Sequence, residues 1–276
     1  MPQPLVSVIC LCYNHERFVA EAIRSVQAQT YPNIQLIVVD DASQDHSADV
    51  IAGIVQQHPD ITFLRQRHNA GNCKAFNCGL AQAKGELIID LAADDILLPE
   101  RIAKGIAFFE KADASVGVNF TDAAWIDEQG EHLYHHSQRF PHHTVPQGDV
   151  YKDLIEKYFI CSPTMMFRRT VIDHLGGYDE TLAYEDFDFW IRSSRVFRYG
   201  YTPEVLVKKR IVKNSLSQNQ FRSSIQQWST FKVCEKIRAL NTAPEEHQAL
   251  NRRLRYEMIL NLRNFNLVLA LRYLAS

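Results

Sequence analysis

Paired acids, and one aromatic-amide pair, stand where apolar runs of this chain give way to loops. Asp94 and Asp95 follow the run Leu87 to Leu91 in GELIIDLAADDILLPERI. Asp40 and Asp41 close IQLIVVDDAS, Tyr13 and Asn14 end LVSVICLCYN, and Glu185 and Asp186 open YEDFDFWIR. Adjacent carboxylates at the end of a buried strand repel each other and call for something positive between them. Mg2+ or Mn2+ suits such a pair, since these cations bind one or two carboxylates and take further oxygens from substrate phosphates. An acid at a helix start can serve as a general base, and a tyrosine at a strand end can stack on a flat ring. Plainer readings stand beside these. The acids can cap or complement the helices that follow, and Tyr13 can pack beneath its neighbouring helix.

The elements that must carry these residues alternate regularly. Leu5 to Cys12, Ile34 to Asp40, Ile61 to Arg65 and Glu86 to Leu91 read as strands. Helical periodicity spans Glu16 to Gln29, Ser47 to Gln57 and Lys74 to Ala83. Near-continuous Val/Ile/Leu strands between amphipathic helices predict an α/β fold whose mostly parallel, Rossmann-like central sheet is covered on both faces. Ligands of such sheets sit at the carboxyl ends of the strands, where the paired residues fall. Asp90 lies inside its strand and is not counted with them.

Composition sets the outer bounds. The 276 residues carry 46% hydrophobic and 22% charged residues, a net charge of −2 and a pI near 6.6. That is an ordinary globular composition with no overall basic field for nucleic acid. The six cysteines contain no CxxC pair, and Cys10 and Cys12 share a strand face, so free thiols in a reducing cytosol are expected. No signal peptide and no apolar run of about 18 residues is evident, so a cytoplasmic protein is expected and the sequon at Asn119 carries no meaning.

Beyond Glu100 the pattern changes. Val116 to Tyr134 reads as a strand and a hairpin around Gln129 and Gly130. Residues His132 to His143 hold five histidines whose spacing fits no zinc pattern, and are expected to form a solvent-facing loop. Asp188, two residues from Asp186, points elsewhere on a helix and is expected to be structural, and Trp190 is expected in the core. From about Ser223 the chain is helical. Residues Arg252 to Ser276 carry five arginines against Glu257, interleaved with apolar residues. Peripheral contact with the inner face of a membrane, or packing on the catalytic part or on a second subunit, would each account for that pattern.

The stretches VSVICLCYNHERFVAEAIRSVQAQTYPNIQLIVVDDASQDHS, NAGNCKAFNCGLAQAKGELIIDLAADDILLPERI and GGYDETLAYEDFDFWIR, in that order and spacing, resemble the family 2 glycosyltransferases of GT-A fold. The resemblance spans roughly residues 4 to 217. It implies a catalytic domain over 1–217, with a nucleotide-binding part to about 115 and an acceptor-binding part over 116–217, followed by a helical region over 218–276.

The resemblance also implies an inverting, metal-dependent transfer from a nucleotide-sugar, expected to be UDP-linked, to a glycan or lipid-linked saccharide in bacterial cell-surface polysaccharide or lipopolysaccharide synthesis. Tyr13, Asn14, Asp41, Asn69, Gly71 and Asp94 are then expected to bind the nucleotide, with Asp41 accepting the base N–H and Asp40 held by its turn. Asp95, with Asp94, is expected to ligate Mn2+ or Mg2+. Asp186 is the expected base and Glu185 its substitute. Two departures stand out. Ala92 occupies the place of the usual first acid, and Val212 or Lys213 the place of a frequent histidine, so no third metal ligand is assigned. Lys208, Lys209 and Arg210 could approach the donor diphosphate or a phosphorylated acceptor, or form an exposed basic edge, and carry no site assignment. A sugar nucleotidyltransferase would need a glycine-rich loop after the first strand, which LCYNHERF lacks. A non-catalytic nucleotide- or sugar-binding module of the same fold is the alternative, and Ala92 is the feature that favours it.

Overall fold

The computed structural model describes residues 3–140, 145–213 and 224–276. His142 and His143 of the histidine-rich segment lie outside the described residues. The first strands are β1 (Val6–Cys12), β2 (Ile34–Asp40), β3 (Thr62–Arg65) and β4 (Leu87–Ala92). They pair in parallel in the order β3-β2-β1-β4. Helices α1 (Val19–Gln27), α2 (Ser47–Gln57) and α3 (Asn72–Leu80) connect them. In β1, Ile9 and Leu11 enter one core, while Val6, Val8, Cys10 and Cys12 enter the core on the other face. Burial on both faces explains why the strand reads as an unbroken apolar run. All six cysteines are free.

The short strand β5 (Ile96–Leu97) and helix α4 (Arg101–Lys111) lead into the long strand β6 (Val116–Ile126). The hairpin turn through Gly130 (φ 88°) then returns the chain as β7 (His132–His135). Helices α5 (Tyr151–Glu156), α6 (Arg169–Leu175) and α7 (Asp186–Ser194) and strands β8 (Met166–Arg168) and β9 (Arg198–Arg210) complete this part. The sheet continues from β4 through β8, β6 and β9 to β5, with β8 antiparallel to both its neighbours and β6 parallel to β9. Three helices close the chain: α8 (Ser224–Leu240), α9 (Pro244–Arg263) and α10 (Leu267–Ala275). Phe231, Ile237, Leu250, Leu269 and Tyr273 of these helices belong to the same buried cluster as Ile9 and Phe120 of the sheet. The helical extension therefore shares the core.

Two expectations are corrected. The first helix starts at Val19, not Glu16, because Glu16 is used elsewhere: its carboxylate accepts the His46 N–H at 2.8 Å and its own N–H donates to Asp45 Oδ2 at 3.0 Å. The histidine-rich segment is ordered from His132 to Arg139 rather than a solvent-facing loop, with β7 paired to β6 and a 3-10 turn over His136–Arg139. His136 is buried and stacks on Trp125, whose indole N–H donates to His136 Nδ1 at 3.3 Å, and His136 Nε2 lies 2.9 Å from the Phe159 carbonyl. Burial pushes its pKa down, so the neutral ring serves as a core element.

Candidate active site

The strand order 3-2-1-4 reverses between β1 and β4, and a crevice opens there at the carboxyl ends of the strands. A cleft of about 560 Å³ is lined by Tyr13, Asn14, Asp41, Asn69, Gly71, Asp90, Asp94, Asp95, Glu185, Asp186 and Lys209, among others. Every expected site residue therefore faces one cavity.

The corner after β1 is braced against the corner after β2. Asn14 Oδ1 accepts the Gln44 N–H at 2.7 Å, and the Asn14 N–H donates to Ser43 Oγ at 2.9 Å. Asn14 (φ 58°) and Ala42 (φ 59°) both adopt the left-handed conformation, which non-glycine residues take up only where surroundings hold them. The Tyr13 side chain remains 38% exposed, as a stacking platform needs. Asp40 is fully buried and accepts the Ser43 N–H at 3.2 Å. Asp41 accepts the Ala70 and Gly71 N–H groups, one on each oxygen, at 2.8 and 2.9 Å. Asp41 thus shapes the Asn69–Gly71 loop, in addition to lining the cleft. Gly71 (φ 88°) makes the turn into α3 with a conformation that suits glycine.

At the end of β4, Asp95 is fully buried. Its Oδ1 accepts the Arg210 backbone N–H at 2.8 Å, and its Oδ2 lies 3.2 Å from Lys209 Nζ. Burial pushes Asp95 up to about 7, against the pull of Lys209, and Asp94 beside it adds to the rise. Arg210 is also buried. It donates from Nε to the Asp94 carbonyl at 3.0 Å, reaches Glu21 at 2.6 Å and lies over the Phe18 ring. Arg210 is a brace, whereas Lys209 and Lys213 line the cleft, Lys209 in contact with Asp95.

The Asp94 and Asp95 pair fits a hard divalent cation that arrives with a diphosphate, since two carboxylates leave the remaining positions to phosphate and water oxygens. It does not fit a cation held by protein alone. Among the described residues no group of three His, Cys, Asp or Glu side chains is placed to hold one.

On the opposite wall, Ser162 Oγ donates to Asp186 Oδ2, while Asp186 Oδ1 is buried without a hydrogen-bond partner. Asn72 Nδ2 donates to Glu185 Oε2. Burial raises both acids; Asp186 raises Glu185 further, and the Ser162 hydroxyl restrains Asp186. Asp188 is buried and paired with Arg192 (2.7 Å) and Lys236 (2.5 Å), and Trp190 is buried in the core.

Sequence reasoning missed Asp90 and Lys209. Asp90 faces this cleft from within β4, takes the Tyr178 hydroxyl at 3.0 Å and is pushed up to about 7 by burial. The signal was available: Asp90 and Ala92, two apart on β4, share a face. Lys209 gave no such signal, because it is 114 residues away from Asp95 in the chain.

The family model for glycosyl transferase family 2 matches residues 7–176. A glycosyltransferase of Rickettsia prowazekii is 30% identical over 257 residues, covering 90% of this chain and 78% of its own length. TuaG of Bacillus subtilis, named for teichuronic acid biosynthesis, is 25% identical, covering 85% and 90% respectively. Two solved structures share the fold. The mannosyltransferase PcManGT of Pyrobaculum calidifontis, in complex with GDP-Man and Mn2+, matches 99% of this chain and 74% of its own with a TM-score of 0.70 at 20% identity. S. aureus TarS 1–349 in complex with UDP-GlcNAc matches 94% and 73%, with a TM-score of 0.71 at 20% identity.

Proposed function

Because the chain belongs to glycosyl transferase family 2, we infer that its cleft transfers a sugar, with inversion, from a UDP-sugar to a hydroxyl of a glycan or lipid-linked saccharide. The chain is a glycosyltransferase of GT-A fold; the donor, the acceptor and the residue roles are our reading. One observation carries it: four acids from three distant segments, Asp41, the pair Asp94 and Asp95, and Asp186, line a single cleft at the reversal point of the sheet.

Tyr13 stacks on the base, a contact that contributes about 1–3 kcal/mol. Asp41 uses its remaining lone pairs for the base N–H, and Asn14, Asn69, Gly71 and Asp94 complete the nucleotide side. Asp95 and Asp94 would hold Mn2+ or Mg2+, which would supply a Lewis acid to draw charge from the leaving diphosphate. Asp186 takes the acceptor proton as the hydroxyl oxygen attacks the anomeric carbon from the face opposite the diphosphate. Glu185 and Asp90 line the cleft beside this base, and burial raises all three acids. The catalytic unit spans 1–217, its donor part reaching about 115. A cell-surface polysaccharide is the product class that the TuaG relationship supports, and six free thiols support a reducing cytosol as its compartment.

Calorimetric titration with UDP, TDP, GDP and CMP, first with Mn2+ and then with chelator, tests this reading. UDP should bind most tightly and lose affinity on chelation. Failure of the folded protein to bind any of the four would transfer the assignment to a non-catalytic module.

A further inference from the structure

Eight of the twelve large apolar side chains exposed by the described residues lie between Tyr256 and Leu274. Exposed apolar residues scattered singly are normal, whereas a concentration of them marks a contact surface. Phe265 forms the tip, 89% exposed, in the turn between α9 and α10, with its backbone in the left-handed conformation at φ 57°. On α10, Leu267, Leu271 and Leu274 follow the i, i+4, i+7 spacing of one helix face and are 60–69% exposed. The other side of the same helix buries Leu269, Ala270 and Tyr273, the last packed edge-on against Phe231 of α8. This helix is therefore apolar on both sides. One side is satisfied by the core and the other requires a second apolar phase.

The unpaired exposed charges of this stretch have one sign. Arg255, Arg263 and Arg272 are exposed, Arg252 is exposed but paired with Glu156, and the acid of the same stretch, Glu257, is buried 2.8 Å from Arg253. A second copy of the chain, docking through the same patch on both subunits, would set these arginines against their own copies. A bilayer with anionic headgroups satisfies both features, taking the apolar side chains at its interface and the guanidinium groups at its phosphates. Among the described residues no helix is long and apolar enough to cross a membrane, which leaves a helix lying in the plane of the surface.

We propose that the α9–α10 tip, with Phe265 and the outer face of α10, docks on an anionic lipid surface. This inference stands independently of the donor and base assignments. It supplies a geometric link, however: α8 lines the cleft with Gln226 and meets Tyr273 of the docking helix through Phe231. One rigid helix thus connects the site to the surface.

Co-flotation of the full chain with vesicles tests the proposal, comparing phosphatidylglycerol with phosphatidylcholine against phosphatidylcholine alone. Binding to the anionic vesicles should be about 100-fold tighter at low salt and should weaken as salt rises. The Val268→Glu, Leu271→Glu double variant should lose binding by about tenfold or more. The Arg255→Gln, Arg263→Gln, Arg272→Gln triple variant should bind both vesicle types alike. These positions are exposed, so circular dichroism and UDP titration should remain those of the parent protein. Wild-type protein that stays unbound to anionic vesicles, or a glutamate variant that binds as well as the parent, overturns the proposal. So does a dimer in sedimentation equilibrium that the glutamate variant dissociates, since the face would then belong to a second copy.

Discussion

Lys209 places its ammonium 3.2 Å from Asp95 Oδ2, while the adjacent residue, Arg210, donates its backbone N–H to Oδ1 at 2.8 Å. Consecutive residues of β9 thus hold both oxygens of one buried acid. Lys209 provides a counter-charge to Asp95, so the buried acid can lie at the strand end.

Removing that ammonium leaves the carboxylate uncompensated. Lys209→Met is expected to destabilise the protein by up to about 3 kcal/mol at neutral pH. Mn2+ supplied together with UDP should restore part of the loss, because the cation can take the ammonium's place. Urea unfolding in UDP with and without Mn2+ checks this. An equal Mn2+ effect on the parent and the variant would separate Lys209 from the cation site.

Asp186→Asn is expected to reduce transfer by about 10²–10⁴-fold while UDP affinity remains that of the parent. The parent pH profile of kcat/KM should rise along a limb above the ordinary carboxylate range, because burial raises Asp186 and the base acts only when deprotonated. Ser162→Ala removes a donor that favours the charged form, so the limb should move to still higher pH. A limb that moves down, or stays in place, would put the base elsewhere.

Asp41→Ala strips the acceptors from Ala70 and Gly71 N–H together. Hydrogen bonds to a charged group are worth about 1.5–3 kcal/mol, so bare UDP should bind roughly tenfold or more weakly, as should the full donor. Calorimetry with UDP alone is the check. Unchanged UDP affinity would remove Asp41 from nucleotide recognition.

Asp90 predicts the sign of a pH effect on stability. Its folded-state pKa is raised to about 7 by burial, above that of an unfolded aspartate, near about 4. Between those values the folded protein holds a proton that the unfolded chain has released. The Asp90 contribution to stability therefore falls as pH rises through this window and then levels off. Asp90→Asn should flatten the fall of unfolding free energy between those limits, as urea titrations across that window would show.

The parallel half of the sheet was legible because each strand is a short apolar run closed by a polar corner, and β2 and α2 end within a residue of expectation. The corner residues were legible for the same reason. Pairings across long sequence separations were not. Lys209 with Asp95, and Asn72 with Glu185 across 113 residues, depend on strands and helices meeting through the complete fold. Glu16 illustrates the opposite failure. Helical periodicity included it, but its carboxylate is engaged by the backbone of His46, and that tertiary contact takes precedence over local propensity.

The pairing of β5 with β9, through Ile96 with Lys208, also orders events during synthesis. Strands β1 to β4 leave the ribosome well before β9 does. Asp95 has then been made, but its counter-ion is still more than a hundred residues from translation. A nascent chain halted before β9 therefore carries an unneutralised acid at its sheet edge, and it can hide that edge only with the carboxyl protonated or wet. Completion of the cleft and completion of the sheet are one late event.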